Sequence, residues 1–389
     1  MKVRSSFAVG SFLTLLVVVI TLTAFVYWTQ NLNPNYLPTL DLYFADTYKG
    51  NSSGVILMWT HPWAVEDEGP EEGAVYGKCT VTYDLAQLEK ADAVVFHYWL
   101  VPHTWLFYRH ARQRFVWWSL ESPWVVQWFE NLDLHEHDEF FNWTMTYRRD
   151  ADIYDPYYNL YDLWGKLERG KEAVDKIIAK KTGLVAWIVS ECYGKKGAVM
   201  RMSYANQMLK ILPEIDRYGE CFGNRDEMPK SRTIEFVSTR KFYLSFENSL
   251  HCRDYVTEKF FQQGLECGTV PVVWGTKKSD YVAIAPPYSF IHAEDFESPE
   301  KLAEYLLYLD KNDTAYREYF RWREDPAMTL DQAKEKMKKQ HPSVEVVTQK
   351  ETGFLDLCNR LHADKSHQVI TSLRKEFIES EPEDCIGKM

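Results

Sequence analysis

"FYLSFENSLHCRDYVTEKFF", residues 242–261, passes from an apolar, aromatic run into a dense polar loop and back to aromatics. The run at 242–248 has the composition of a buried strand. A second one, "TVPVVWG" at 269–275, follows a stretch suited to a helix from about residue 254 to 267. Strand, helix and strand in that order are the building block of a parallel α/β sheet. In an open sheet of this kind ligands bind beyond the carboxyl ends of the strands, and "ENSLHCRD" occupies such a position. Asp254 reads as a helix N-cap, which sets Tyr255, Glu258 and Lys259 on one face of the first turns, looking back at the loop. A helix N-terminus favours anions and an ammonium adds a point charge suited to phosphate, so Lys259 is a candidate diphosphate contact. Glu258 is suited to accept hydrogen bonds from sugar hydroxyls. The same spacing also fits a solvent-facing helix surface on which Asn248 merely ends the strand.

Outward from this unit the chain repeats the theme. Before it, "LVAWIVSE" (184–191) reads as a strand, with helices over 166–181 and 201–212. Earlier still, the apolar runs at 54–60, 92–99, 114–122 and 142–148, with a helix over 84–92, describe a first α/β series. A chain of 389 residues accommodates two such cores. The expected divisions are a first α/β domain at 54–165, a second at 166–350 and a helical segment at 351–389.

Residues 7–28 carry no charge and, at about 1.5 Å per residue, are long enough to cross a hydrocarbon core of about 30 Å. Lys2 and Arg4 precede them and the next basic residue is Lys49, so residues 1–6 are expected in the cytoplasm, 7–28 as a transmembrane anchor and 29–53 as a stem. This single-pass type II arrangement puts the rest in an oxidising lumen. Asn51, Asn142 and Asn312 each begin an acceptor triplet for N-glycosylation there. Seven cysteines without zinc-type pairing suit disulfides, with at least one left unpaired in the chain. A net charge of −11 lacks the basic footprint of a nucleic-acid partner. No sequence feature argues for a homodimer.

The central stretch resembles the donor-binding signature of the α-1,3-fucosyltransferases of glycosyltransferase family 10: "KFYLSFENS" (241–249), "DYVTEK" (254–259) and "GTVPVVWG" (268–275) match it almost element by element. "QRFVWWSLESP" (113–123), "FNWTMTYRRDADI" (141–153) and "AWIVSEC" (186–192) extend the resemblance over roughly residues 55 to 330. It implies a GT-B architecture, two Rossmann-like domains facing a cleft, behind the transmembrane helix in the Golgi membrane. The first domain would take the acceptor and the second the donor, GDP-fucose. It implies an inverting transfer of L-fucose from GDP-β-L-fucose to a glycan hydroxyl, O3 of GlcNAc foremost, on a glycoprotein or glycolipid. Core N-glycan or protein-directed transfer on the same fold, or a catalytically silent glycan-binding protein, are the alternatives. Arg201, Asn248, Tyr255, Glu258 and Lys259 would contact the donor. Glu121, in "SLESP", would be the general base, a role that suits a carboxylate just past an apolar strand.

The resemblance requires no cofactor and leaves room for stimulation by a divalent cation. Asp150 and Asp152 have the spacing of a metal-binding DxD pair, but family members carry acids at the matching place without that use, so no metal site is assigned. "HYWL" (97–100) resembles the family's acceptor-choice motif, keeping Trp99 and losing its acid. Family members pair C-terminal with N-terminal cysteines, which implies a Cys79–Cys358 bridge here. Two of Cys192, Cys221 and Cys252 are expected to pair in the donor half.

Overall fold

A computed structural model describes residues 53–62, 69–101, 112–129, 132–364, 366 and 368–386. The expected tail, anchor and almost all of the stem, with Asn51, lie outside them. Among the described residues no helix is long and apolar enough to cross a membrane.

β1 (Gly54–Met58), β2 (Val75–Tyr76), β3 (Cys79–Thr82), β4 (Ala93–His97), β5 (Arg114–Ser119), β6 (Trp143–Thr146) and β7 (Ile153–Tyr154) form one sheet in the order 2-3-1-4-5-6-7. Every pairing is parallel except that of β2 with β3. All residues of β4 and β5 are buried, so these central strands read as continuous apolar runs without alternation. The second sheet is wholly parallel: β8 (Gly183–Ile188), β9 (Ile215–Tyr218), β10 (Arg240–Phe246), β11 (Val270–Trp274) and β12 (Ile291–His292), in the order 12-11-10-8-9. One of its faces packs Trp187, Phe242, Leu244 and Val272 against Leu302 and Leu306 of the helix Pro299–Asp310. Two sheets of this kind give the α/β, GT-B-like architecture.

The helix expected over 166–181 is two helices, Leu160–Lys166 and Lys171–Ala179, because Gly170 between them has φ +117°, a backbone that breaks a right-handed helix. Leu160, Leu163 and Trp164 pack with Phe260 and Trp322 of the second half, so the chain has crossed over before residue 160, not at 165. Nor is the C-terminal part an appendage. Phe354, Leu357 and Cys358 of the helix Gly353–Ala363 cover Ile56, Val81, Trp118 and Ile153 of the first sheet. Cys79 is bonded to Cys358 there. Farther on, Arg148 at the end of β6 donates to the carbonyls of Glu376 and Phe377 and pairs with Glu381, which also accepts from the Arg253 amide. The chain then closes on the donor half through a Cys252–Cys385 bond. Cys192 pairs with Cys221. Two of Cys192, Cys221 and Cys252 thus pair, as expected, while the third, Cys252, finds its partner 133 residues away, and Cys267 is the buried free thiol.

Two glycan acceptor positions differ in kind. Asn142 is buried, its Oδ1 accepting from the Phe115 amide (2.8 Å) and its Nδ2 donating to the Gln368 carbonyl (2.8 Å). A glycan on that nitrogen is incompatible with this packing, which corrects the expectation at Asn142. Asn312 caps the helix Asp313–Arg317 through Oδ1 and keeps its Nδ2 near the surface, bonded to the Tyr308 hydroxyl.

Candidate active site

In the second sheet the strand order reverses between β8 and β10, and a crevice opens beyond their carboxyl ends, as expected at such a switch point. It holds about 590 Å³ and is lined by Ser190, Glu191, Arg201, Asn248, Glu258 and Lys259 among others. The helix Lys196–Met208 starts against this crevice. A Cβ at Gly197 would lie 2.4 Å from the Asn248 carbonyl oxygen, so only glycine lets the helix press on the loop. One turn on, buried Arg201 donates from Nη1 to the Phe246 carbonyl and from Nη2 to that of Glu191, each at 2.7 Å. The guanidinium thus ties the ends of β10 and β8 together and lines the crevice between them.

The polar loop is organised by Glu247, which is fully buried. Its Oε1 accepts from the Thr257 amide at 3.0 Å, and the Thr257 hydroxyl lies 3.0 Å from both carboxylate oxygens. Lys259 Nζ donates to Thr257 Oγ1 (2.9 Å) and pairs with Glu258 (3.0 Å) and Glu247 (3.4 Å). Burial pushes the Glu247 carboxyl up, with Lys259 opposing. Burial also pulls Lys259 down, but Glu247 and Glu258 outweigh it and leave it raised. For Glu258 burial works upward and the Lys259 ammonium prevails, holding the carboxyl low and ionised.

Thr257, not Asp254, is the helix N-cap, so the helix begins at Glu258 and widens into a π-helical turn from Phe261. Asp254 has φ +59° and gives its carboxylate to the Arg149 guanidinium at 2.6 Å. Tyr255 consequently is not on the helix face with Glu258 and Lys259. Its ring is buried with Trp124, Val125, Tyr147, Cys252 and Cys385, and its hydroxyl donates to Glu121 Oε2 at 3.3 Å. Of the three residues expected on one helix face, only Glu258 and Lys259 start the helix, and the Tyr255 hydroxyl turns to the Glu121 carboxylate.

Glu121 lies two residues past β5 and is half-buried. Burial raises its pKa, Lys195 opposes, Glu191 adds to the rise, and Lys259 and the Tyr255 hydrogen bond oppose. The preceding carbonyl, of Leu120, accepts from the Tyr157 hydroxyl at 2.6 Å. The following residue, Ser122, shares a 2.6 Å hydrogen bond with Ser249 of the donor loop. A carboxylate with a raised pKa is thereby fixed close to Lys259, which lines the crevice.

Trp99 stands in a turn at the end of β4, next to β5, and is 47% exposed. Asn248 is half-buried on the crevice wall, its Oδ1 accepting from the Ser249 hydroxyl. Asp150 is held by Arg148 and Arg253, and Asp152 by the Thr144 amide and Arg360, so each of these acids braces the first half against its own guanidinium partner. Sequence reasoning gave no role to Glu247, Thr257, Glu191 or Lys195. A threonine directly before Glu258 was a visible N-cap signal, whereas the pairing of Glu247 with residues ten and twelve positions on required the loop's path.

Residues 51–158 match the family described as "Fucosyltransferase, N-terminal" and residues 178–376 that described as "Glycosyltransferase family 10 (fucosyltransferase) C-term". The chain belongs to glycosyltransferase family 10. Family 10 relatives include 4-galactosyl-N-acetylglucosaminide 3-alpha-L-fucosyltransferase FUT5 of Homo sapiens, 38% identical over 283 residues, which span 69% of this chain and 70% of the relative. Also similar is 3-galactosyl-N-acetylglucosaminide 4-alpha-L-fucosyltransferase FUT3 of Pongo pygmaeus, 39% identical over 288 residues, 72% of this chain and 73% of the relative. A crystal structure of an alpha1,3-fucosyltransferase with GDP shares the fold, with a TM-score of 0.51 at 18% identity over 84% of this chain and 95% of that one.

Proposed function

We propose that this chain is an inverting α-1,3-fucosyltransferase that moves L-fucose from GDP-β-L-fucose to O3 of GlcNAc in a glycan. The observation that carries the reading is the placement of Glu121, held by Tyr255, beside a crevice walled by Arg201 and Lys259. In a single displacement the acceptor oxygen attacks fucose C1 from the face opposite the diphosphate and gives its proton to Glu121. The bond from C1 to the phosphate oxygen breaks with its electron pair on GDP. Arg201 and Lys259 stabilise that charge, an electrostatic contribution realised most fully in the transition state. On the crevice wall, Asn248 can donate to or accept from the nucleotide sugar's hydroxyls, and Glu258 accepts from them.

Trp99, exposed at the end of β4 beside the Glu121 strand, offers an aromatic face to the acceptor. Residues 7–28 anchor the chain in the Golgi membrane with both halves lumenal, a reading supported by three disulfides. Incubating the ectodomain with labelled GDP-fucose and a glycan array, with linkage analysis of the product, tests the proposal. Transfer to O3 of GlcNAc is expected, and no transfer from GDP-fucose to any glycan would sink it. The 4-alpha naming of one relative makes O4 the second outcome that the linkage analysis distinguishes.

A further inference from the structure

Asp254, in the donor loop, has a left-handed backbone without being glycine, at φ +59°. Such a conformation is disfavoured for a residue with a Cβ and persists where the surroundings hold it. Here the holder is Arg149, three residues past β6 of the first sheet. Its amide donates to Asp254 Oδ2 at 3.0 Å and its Nε to Oδ1 at 2.6 Å, so one residue grips both carboxylate oxygens. The same guanidinium donates from Nη1 to the Glu345 carbonyl (3.1 Å) and from Nη2 to Asp280 (3.3 Å), which fixes it from two further elements. Arg149 and Asp254 line, with Asp280 and Glu345, a cavity of about 500 Å³ separate from the donor crevice, so the pair acts on the loop from outside it.

The residue that follows the grip is Tyr255. The Asp254 carbonyl accepts from the Val256 amide at 2.8 Å, closing a tight turn around Tyr255. The Tyr255 carbonyl accepts from the Thr276 hydroxyl at 2.5 Å, and its ring meets that of Tyr147 edge-on at 5.1 Å. From this turn the hydroxyl reaches Glu121. Glu258 and Lys259, which come next, are held independently, because their N-cap Thr257 is bonded to buried Glu247.

We infer that Arg149 and Asp254 are positioning residues for transfer: the pair holds the left-handed turn from which the Tyr255 hydroxyl aims the Glu121 carboxylate. The inference rests on Glu121 being the base that Tyr255 orients. Without the grip Asp254 relaxes toward negative φ and the direction of the next side chain changes with it. The Thr257–Glu247 bonds keep Glu258 and Lys259 on the crevice wall meanwhile. The loss therefore falls on transfer and not on nucleotide binding.

The test is a double-mutant cycle on the ectodomain: kcat for GDP-fucose transfer and GDP affinity by calorimetry for Asp254→Ala, Asp254→Gly and Arg149→Ala, each alone and combined with Tyr255→Phe. Asp254→Ala is expected to lower kcat about tenfold, as much as Tyr255→Phe, with GDP affinity changed less than about twofold. Asp254→Gly is expected to lose less, because glycine adopts a positive φ at no steric cost. In the Tyr255→Phe background none of the three is expected to lower kcat further. Arg149→Ala also releases Asp280 and the Glu345 carbonyl, and if it does not fold the two Asp254 variants carry the cycle. Losses that multiply with that of Tyr255→Phe, or a glycine variant no better than the alanine one, overturn the pair and leave the base standing. Tyr255→Phe or Glu121→Gln transferring at the wild-type rate overturns the reading of the base, and the pair with it.

Discussion

The Tyr255 hydroxyl lies 3.3 Å from Glu121 Oε2, a hydrogen bond between the donor loop of one half and the strand end of the other. The bond favours the ionised carboxylate and aims its oxygen. Tyr255→Phe keeps the buried ring and removes only the donor. Transfer is expected to fall about tenfold, equivalent to about 1.4 kcal/mol, with GDP affinity changed less than about twofold. Steady-state kinetics beside calorimetry check this. A large loss of GDP affinity would return Tyr255 to the donor site.

Arg201 and Lys259 face the same crevice but are held differently, and their variants separate accordingly. Each alanine substitution is expected to weaken GDP binding by about 1.5–3 kcal/mol, the range of a charge-assisted hydrogen bond. Arg201→Ala also leaves the Phe246 and Glu191 carbonyls without their donors. Lys259→Ala removes the counter-charge of buried Glu247, whose carboxyl then protonates at higher pH. Calorimetry with GDP should show both losses, and denaturation across pH should show a new carboxyl titration only in Lys259→Ala. Unchanged GDP affinity in either variant would remove that residue from the diphosphate.

The bond between Cys252 and Cys385 closes a loop of 133 residues and anchors the end of the chain beside the donor loop. His251 next to it faces Asp384 and Glu294, and Arg253 pairs with Glu381. Cys385→Ser is expected to lower stability by about 2–5 kcal/mol in denaturant unfolding. Peptide mapping should find Cys252 newly reactive to alkylation while Cys79 and Cys192 stay protected.

Asp155 accepts from Trp118 Nε1 at 2.7 Å, and burial pushes its carboxyl from the ordinary 3.8 up to about 6, the indole bond opposing. The folded state therefore holds this proton more tightly than the unfolded chain. Its contribution to stability is complete below about pH 4 and is lost as pH rises through about 6. Asp155→Asn abolishes that titration. Melting temperatures measured from about pH 4 to pH 8 should fall more steeply for the wild type than for the variant, and parallel curves would contradict the raised pKa.

Much of this is legible in the sequence. The strands β4, β5, β8, β10 and β11 each hold a dense apolar run, and their burial on both faces is why they read so plainly. Short edge elements such as β2 and β12, two residues each, carry no periodicity to read. Within the site, Glu258 and Lys259, set on one helix face by their spacing, and Arg201, assigned by the family resemblance, stand on the crevice wall. Tyr255 does not, because a left-handed Asp254 delays the helix to Glu258 and turns the ring under Glu121. The pairing of Cys252 with Cys385 and the packing of Gly197 against Asn248 depend on long-range topology, which no local pattern encodes.

The central claim is that Glu121 takes the acceptor proton while the other half holds the nucleotide. Its most direct test is Glu121→Gln, assayed for fucose transfer and for GDP binding in the same preparation. The account predicts transfer reduced by at least about 10²-fold, the scale of a general base, with GDP affinity near that of the wild type. Transfer at the wild-type rate would contradict it.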